Sequence, residues 1–297
     1  MVECQVSLEH EFEGIMDQGI HFISGLPRSG STLLSAILRQ NPRFHAMMTS
    51  PVAGIYLAML EATSRKNEAS VFISQDQKRS LLAGVFENYY RDIGRERVVF
   101  DTNRIWCSKM PALSRLFPAA KLICCVRHVP WIMDSVERLI RQNAYDLSGM
   151  FGFEAGGTVY SRVGRLALSD GMVGYALDCL REAFYGGWAD RMILVTYEAL
   201  VRDPARTIAE LFGFIGEPAY AHDFDNVEYS ADEFDAALGS PGLHTVRRKV
   251  GFVERPTILP PELFQRFEND AFWMNPDRKS TRLNSSHLRR SRMPSSA

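Results

Sequence analysis

The sequence contains no apolar run approaching the ~20 residues that a membrane-spanning helix requires. Its formal net charge of -1 over 297 residues gives no overall sign of nucleic-acid or membrane binding. The first residues, MVECQVSLEHEFEG, are acidic and lack the basic-then-apolar pattern of a secretory signal. The cysteines are odd in number and form no CxxC pair, so we expect buried, reduced thiols in a cytoplasmic protein without a membrane partner. They are Cys4, Cys107, Cys124, Cys125 and Cys179.

Charge is unevenly distributed along the chain. Residues 277–297 read DRKSTRLNSSHLRRSRMPSSA, with six Lys or Arg and one Asp, whereas the preceding chain has 28 basic and 34 acidic residues. A basic tail taken alone favours a nucleic-acid arm. The stretch DRKSTRLNSSH, however, is similar to the in-frame translation of a sequencing adapter, and SRMPSSA is similar to its downstream end. We therefore expect one domain over 1–276, a natural sequence that stops near Pro276, an artefactual or disordered tail over 277–297, and no nucleic-acid partner.

Apolar runs alternate with helical patterns along the rest of the chain. The runs typical of buried strands are 19–25, 98–101, 121–126 and 191–197. Helical spacing occurs at 31–40, 52–64, 76–92, 131–142 and about 175–187, and prolines open two more helices at Pro111 and Pro204. Scattered glycines indicate a loop-rich insertion at 149–174. The alternation predicts an α/β class: a P-loop-like three-layer fold with a central parallel sheet flanked by helices.

The segment 25–32, GLPRSGST, lies between the first strand and the first helix. Its two glycines let backbone N–H groups approach a phosphate, and the helix N-terminus adds a positive dipole end. The hydroxyls of Ser29, Ser31 and Thr32 supply further donors, and Arg28 supplies a cation. The spacing is that of GxxxxGK[ST], but Ser31 replaces the lysine that nucleoside triphosphates need. This favours a ligand with a simpler 5′ end over ATP or GTP, and a plain strand-to-helix turn is the structural alternative.

The stretch GLPRSGSTLLSAIL resembles the 5′-phosphosulfate loop of the sulfotransferase superfamily, in the PRSG form of tyrosylprotein sulfotransferases and related bacterial proteins. The resemblance covers most of residues 20–215 and implies a sulfotransferase domain. It also implies 3′-phosphoadenosine 5′-phosphosulfate (PAPS) as the sulfuryl donor. The loop residues that would hold the 5′-phosphate and sulfate are Pro27, Arg28, Ser29, Gly30, Ser31 and Thr32.

A second motif, KLICCVRHVPWIMDSVERL, places Arg127 at a strand end and Ser135 eight residues later in a helix. It resembles the family's 3′-phosphate site, where a guanidinium grips the phosphate and a hydroxyl orients it. In the YEAL element we expect Tyr197 either to contact the nucleotide or to pack on the core. The sequence shows no second GxGxxG and no acidic ribose-binding residue, which disfavours a dinucleotide fold. The run 247–249, RRK, faintly resembles the C-terminal donor-binding segment, with a solvated surface as its alternative.

Sulfuryl transfer proceeds by in-line attack of an acceptor hydroxyl or amine on sulfur. Negative charge then develops on the oxygen that bridges to the 5′-phosphate. We predict that Arg28, the loop amides and Lys109 neutralise this charge. The resemblance implies the role of Lys109, which stands two residues before Pro111. Tyrosylprotein enzymes have a lysine there, whereas cytosolic sulfotransferases have a histidine base.

The general base is not evident from the sequence. The glutamate of the tyrosylprotein enzymes should fall near 47–51, where no carboxylate occurs. Asp101, His45 and His128 are the substitutes, each with a structural role as the alternative. We therefore predict a PAPS-dependent sulfotransferase, with a P-loop nucleotide kinase or an inactive nucleotide-binding homologue as alternatives. The acceptor is a small molecule, glycan or peptide whose pocket loops 44–75 and 143–174 shape; no metal ligand set and no oligomeric state is indicated.

Overall fold

A five-stranded parallel β-sheet forms the centre of the protein. The computed structural model describes residues 19–93 and 96–274. The strands lie in the order β2-β3-β1-β4-β5, and every neighbouring pair is parallel. They are β1 (Ile20–Gly25), β2 (Phe44–Ala46), β3 (Val98–Thr102), β4 (Leu122–Val126) and β5 (Met192–Thr196). The predicted α/β class with a parallel sheet is confirmed.

Helices connect and cover the strands. In the first half of the chain they are α1 (Ser31–Leu38), α2 (Val52–Ala62), α3 (Gln75–Tyr89), α4 (Met110–Leu116) and α5 (Val129–Gln142). In the second half they are α6 (Val159–Ala167), α7 (Met172–Tyr185), α8 (Tyr197–Arg202), α9 (Pro204–Ile215), α10 (Asp232–Ala237) and α11 (Pro261–Arg266). The predicted start of α9 is confirmed, because the Asp203 side chain accepts from the Arg206 N–H ahead of a proline at the first turn.

Each face of the sheet is covered by its own apolar cluster. Along β4, Leu122, Cys124 and Val126 belong to one buried cluster. Ile123 and Cys125, which alternate with them, belong to the other. Because successive strand side chains point to opposite faces, the two clusters lie on opposite sides of the sheet. A strand buried on both faces reads as an unbroken apolar run, which is why LICCV predicted a parallel strand correctly.

The predicted loop-rich insertion at 149–174 is wrong in part, because it contains α6. Thr158 and Ser161 form a reciprocal cap at the start of this helix, and Val163 and Leu166 are buried. Two of the glycines that suggested a loop serve packing instead. A Cβ at Gly171 would lie 2.2 Å from the Arg165 carbonyl oxygen, and a Cβ at Gly174 would lie 2.1 Å from that of Leu168. These glycines allow the start of α7 to approach the end of α6.

The cysteines of the described chain are buried. Four cysteines are buried and free, as expected, namely Cys107, Cys124, Cys125 and Cys179. Cys4, the expected boundary near Pro276 and the tail 277–297 lie outside the described residues. Within 19–93 and 96–274, the helices are all too short or too polar to cross a membrane.

Candidate active site

A cavity of about 710 Å³ lies at the carboxyl ends of the strands. Its lining includes the segments that directly follow four of them: 26–28 after β1, Asn103 and Arg104 after β3, Arg127 after β4, and Tyr197 after β5. All strands run in one direction, so their carboxyl ends meet at a single edge, where open α/β sheets bind ligands. The topology therefore brings the two predicted anion motifs together.

The loop between β1 and α1 requires glycines for its conformation and is held by a hydrogen bond to β4. Gly25 and Gly30 have φ angles of 100° and 92°, in the region that L residues rarely adopt. A Cβ at Gly25 would lie only 2.3 Å from the carbonyl oxygen of Cys125. That same oxygen accepts from the Leu26 N–H at 2.8 Å. The loop is thus tied to β4 before any ligand binds.

Arg28 connects the loop to two distant segments. Its Nε donates to the Ser135 hydroxyl on α5 at 3.1 Å, and its Nη1 donates to the Leu243 carbonyl. Its own φ of 56° is unusual for a residue other than glycine. Burial, together with nearby Arg127, lowers the pKa of Arg28 to about 10, so it is still a cation at neutral pH. The predicted loop cation and the predicted α5 hydroxyl are therefore direct neighbours.

Arg127 faces the same cavity with an unsatisfied donor. Its guanidinium carbon lies 4.1 Å from the centroid of the Tyr197 ring, a cation–π contact. Its Nη1 donates to the Arg28 carbonyl at 3.4 Å, while its buried Nε has no partner among the described residues. Burial lowers the pKa of Arg127. Since buried donors are rarely left unpaired, this Nε makes Arg127 a candidate for binding a ligand.

Tyr197 lies between the cavity and the loop. It lines the cavity, and it also packs on the loop, because a Cβ at Gly30 would lie 3.2 Å from its Cδ2. The other predicted nucleotide contacts line the cavity with one exception. Ser29 is buried and donates its hydroxyl to the Pro27 carbonyl at 3.2 Å, away from the cavity lining.

The charge of the cavity is strongly positive. Among the described lining residues, six are Lys or Arg and only Asp170 is acidic. The cations are Arg28, Arg104, Arg127, Arg247, Lys249 and Arg255. Of the basic run 247–249, only Arg248 lies outside the lining, and its Nε donates to the Asn226 side chain at 2.6 Å. A positive cavity of this kind favours anionic ligands.

A buried carboxylate on α5 positions one of these cations. Asp134 is fully buried next to Ser135 in sequence and lies 2.9 Å from Arg255 Nη2. It also accepts from the Arg138 Nε at 2.9 Å and from the Ile258 N–H at 2.8 Å. This network fastens the segment around 255–258 to α5 and holds Arg255 at the cavity. Sequence reasoning missed both Asp134 and Arg255.

A protein-family model described as "Sulfotransferase family" matches residues 21–222. The chain belongs to the sulfotransferase family. The match includes the loop at 25–32, Arg127, Ser135 and Tyr197, and it supports a sulfuryl-transferring activity in general terms. No curated protein sequence matches the chain.

Solved sulfotransferase structures resemble this family member at low identity. One is sulfotransferase STF9 from Mycobacterium avium, with 15% identity and a TM-score of 0.43; the match covers 68% of this chain and 64% of that one, less than two thirds of its length. The sulfotransferase domain from the curacin biosynthetic pathway is 18% identical, with a TM-score of 0.49 and coverage of 91% and 95%. Mouse sulfotransferase SULT7A1 complexed with PAP is 14% identical, with a TM-score of 0.47 and coverage of 90% and 91%.

In this sulfotransferase-family chain the structure does not bring Lys109 to the cavity. Lys109 ends a 3₁₀ segment that begins at Arg104, and only the beginning of that segment lines the cavity. Arg104 lies two residues after the end of β3, and its carbonyl accepts from the Ser24 hydroxyl at 3.0 Å. Sequence reasoning missed Arg104, although its place after a predicted strand was a usable signal.

The three residues suggested as the base also lie outside the cavity lining. Asp101 is fully buried and accepts from Tyr90 at 2.6 Å, from Ser50 at 2.7 Å and from the Trp106 Nε1 at 2.7 Å. Burial raises the pKa of Asp101, and the three hydrogen bonds lower it. The His45 ring packs edge-on against Tyr90. His128 places its Nε2 2.7 Å from the Glu268 carbonyl oxygen.

Proposed function

We propose that the protein is a PAPS-dependent sulfotransferase whose cavity binds the donor between the loop at 25–32 and Arg127. The observation that carries this proposal is that Arg127, whose buried Nε has no partner among the described residues, lines the same cavity as the loop. Two anion sites in one cavity suit a nucleotide that is phosphorylated at both ends. Family membership supports sulfuryl transfer, and the six cations supply the matching charge.

The residues present fit such a donor. The loop amides, Arg28 and the hydroxyls of Ser31 and Thr32 would hold the 5′-phosphate and sulfate, as at other helix N-termini. Arg127 and Ser135 would hold the 3′-phosphate. The Ser135 oxygen accepts from Arg28, and its hydroxyl hydrogen is still available to donate, because a hydroxyl is both donor and acceptor.

The mechanism we propose depends on positioning and charge. PAPS supplies an activated sulfuryl group with a phosphate as the leaving group. Arg28 stabilises the negative charge that develops on that phosphate, since its guanidinium is already fixed by Ser135 and Leu243. Arg104 is a second cation at the same cavity and takes the place that the sequence assigned to Lys109. Fixed donors of this kind cost no reorganisation during the reaction.

The acceptor half of the cavity suggests a small molecule. Both loops expected to shape it contribute to the wall, 44–75 through Met48 and Thr49, and 143–174 through Gly149, Met150 and 170–172. Other wall residues are Tyr175, Phe234 and Leu238. Methionines adapt to varied apolar shapes. We therefore propose an acceptor that carries its hydroxyl or amine on an apolar body.

Binding of 3′-phosphoadenosine 5′-phosphate (PAP) tests the donor assignment. Ligand at ~100 times its dissociation constant should raise the free energy of unfolding by about 2.7 kcal/mol. We expect this rise with PAP, a smaller one with 5′-AMP at the same concentration, and none with ATP plus Mg²⁺. Thermal unfolding of the whole chain measures all three. Stabilisation by ATP and not by PAP would support a kinase instead.

A further inference from the structure

An aspartate–histidine pair lies in the C-terminal part of the described chain. Nδ1 of His244 is 2.5 Å from Oδ1 of Asp235, and the backbone N–H of His244 donates to Oδ2 of the same carboxylate at 2.8 Å. Asp235, on α10, is only 1% exposed. Both carboxylate oxygens of Asp235 therefore accept hydrogen bonds from His244, and these two contacts fix the imidazole ring relative to α10.

The pair determines which ring nitrogen of His244 carries the proton. A carboxylate only accepts hydrogen bonds, so Nδ1 is the protonated nitrogen of the neutral ring. Nε2 then holds a lone pair. Within the described residues Nε2 has no hydrogen-bond partner, and the ring lines the cavity. The arrangement is that of a base oriented by a second residue.

His244 lies next to the proposed donor loop. The carbonyl of the preceding residue, Leu243, accepts a hydrogen bond from Arg28 Nη1. The Phe234 ring packs edge-on against the imidazole, with the centroids 5.6 Å apart, and it also lines the cavity. His244 thus follows a residue that contacts the loop proposed to hold the sulfuryl group, and its ring packs against an aromatic residue of the wall. No other imidazole among the described residues lines this cavity.

We propose that His244 is the general base of this sulfotransferase and that Asp235 is its positioning residue; this rests on the proposed function. Nε2 of His244 takes the proton of the acceptor hydroxyl. The acceptor oxygen forms a bond to sulfur while the bond between sulfur and the bridging 5′-phosphate oxygen breaks. The electron pair of the broken bond stays on that phosphate oxygen, and the imidazolium later releases its proton to solvent. Asp235 stabilises the imidazolium in the meantime.

The charges around His244 determine how activity should depend on pH. Burial lowers the pKa of His244 from its ordinary 6.5, the Asp235 carboxylate raises it, and the cations Arg28 and Arg104 lower it further. The other charged groups of the cavity are Arg127, Asp170, Arg247, Lys249 and Arg255. With a lowered pKa the ring is neutral at pH 7 and ready to accept a proton. Activity should therefore fall as pH drops through a value below 6.5, where the base becomes protonated.

Two substitutions and a matched control test the assignment. His244→Gln should lower hydrolysis of radiolabelled PAPS, with water as the probe acceptor, by about 100-fold or more. Its affinity for PAP should stay within about threefold. Asp235→Asn should shift the acidic limb of the pH profile and move the ring proton from Nδ1, which nitrogen NMR of the imidazole detects. His45→Gln is the control, since burial lowers the pKa of His45 as well and this residue is outside the cavity lining.

The outcomes separate this inference from the function on which it rests. If the unaltered chain does not bind PAP, the proposed donor site is wrong. If PAP binds and His244→Gln hydrolyses PAPS as fast as the unaltered chain, His244 is not the base. A proton on Nε2 of His244 at neutral pH in the unaltered chain would overturn the assignment independently of any turnover. Loss of turnover with PAP binding kept, and Nε2 unprotonated, supports it.

Discussion

Arg127→Ala is expected to weaken PAP binding roughly 30- to 5,000-fold, which corresponds to about 2–5 kcal/mol. Arg127 is the guanidinium that we assign to the 3′-phosphate, and its Nε has no partner among the described residues. Removing it leaves a phosphate in the cavity without its charged donor. The stacking on Tyr197, with 4.1 Å between the guanidinium carbon and the ring centroid, is lost as well. Isothermal titration with PAP measures the change.

The same substitution should have little effect on the stability of the free chain. Arg127 is partly buried, and burial is the largest influence that lowers its pKa, while Tyr197, Glu198 and Asp134 raise it and Arg255 lowers it. In the free chain, removing Arg127 also removes the free-energy cost of burying its charge, and this gain offsets the loss of the cation–π contact.

Arg248→Ala is the matched control, because Arg248 belongs to the nearby basic run and contacts Asn226 outside the cavity lining. Equal losses of PAP affinity in the two variants would show that general charge, and not a 3′-phosphate site, governs binding.

The part of the site that the sequence predicted consists of short-range motifs. The loop at 25–32 and Arg127 each follow a buried strand directly, so strand periodicity places them at one edge of the sheet. The resemblance added Ser135, which lies on α5. The same reasoning from strand ends was open to Arg104, which follows β3. The resemblance favoured Lys109 instead, five residues later in a 3₁₀ segment. At a rise of about 2 Å per residue, that places Lys109 roughly 10 Å further along the segment.

The part that could not be predicted depends on long-range contacts. His244 and Arg255 lie in a segment with little regular structure, where periodicity carries no signal. Their positions follow from hydrogen bonds to the buried carboxylates of Asp235 and Asp134. A carboxylate in a helix pattern reads as a solvated residue until its burial is known. The three hydrogen bonds that Asp101 accepts in β3 were equally out of reach of the sequence, because their donors lie on segments whose contacts periodicity does not give.

Gly25→Ala is expected to cost at least about 4 kcal/mol of stability, among the largest effects of single substitutions. The new Cβ would lie 2.3 Å from the Cys125 carbonyl oxygen and 2.8 Å from the Cys125 nitrogen. Both atoms are backbone of β4, directly paired with β1 at Gly25, so they cannot move without breaking the sheet register. Urea unfolding of the variant and the unaltered chain measures the difference.

Gly19→Ala is the control that separates the cost of a left-handed backbone from the cost of the contact with Cys125. Gly19 has a φ of 98°, almost equal to the 100° of Gly25, but a Cβ there would meet nothing within 4 Å. Gly19→Ala therefore carries the left-handed strain alone, about 1–2 kcal/mol. The excess loss in Gly25→Ala measures the contact with Cys125, and equal losses in the two variants would show that β4 does not constrain the loop. Because that contact presets the loop for phosphate, Gly25→Ala should lose PAP binding even where it folds, whereas Gly19→Ala should keep it.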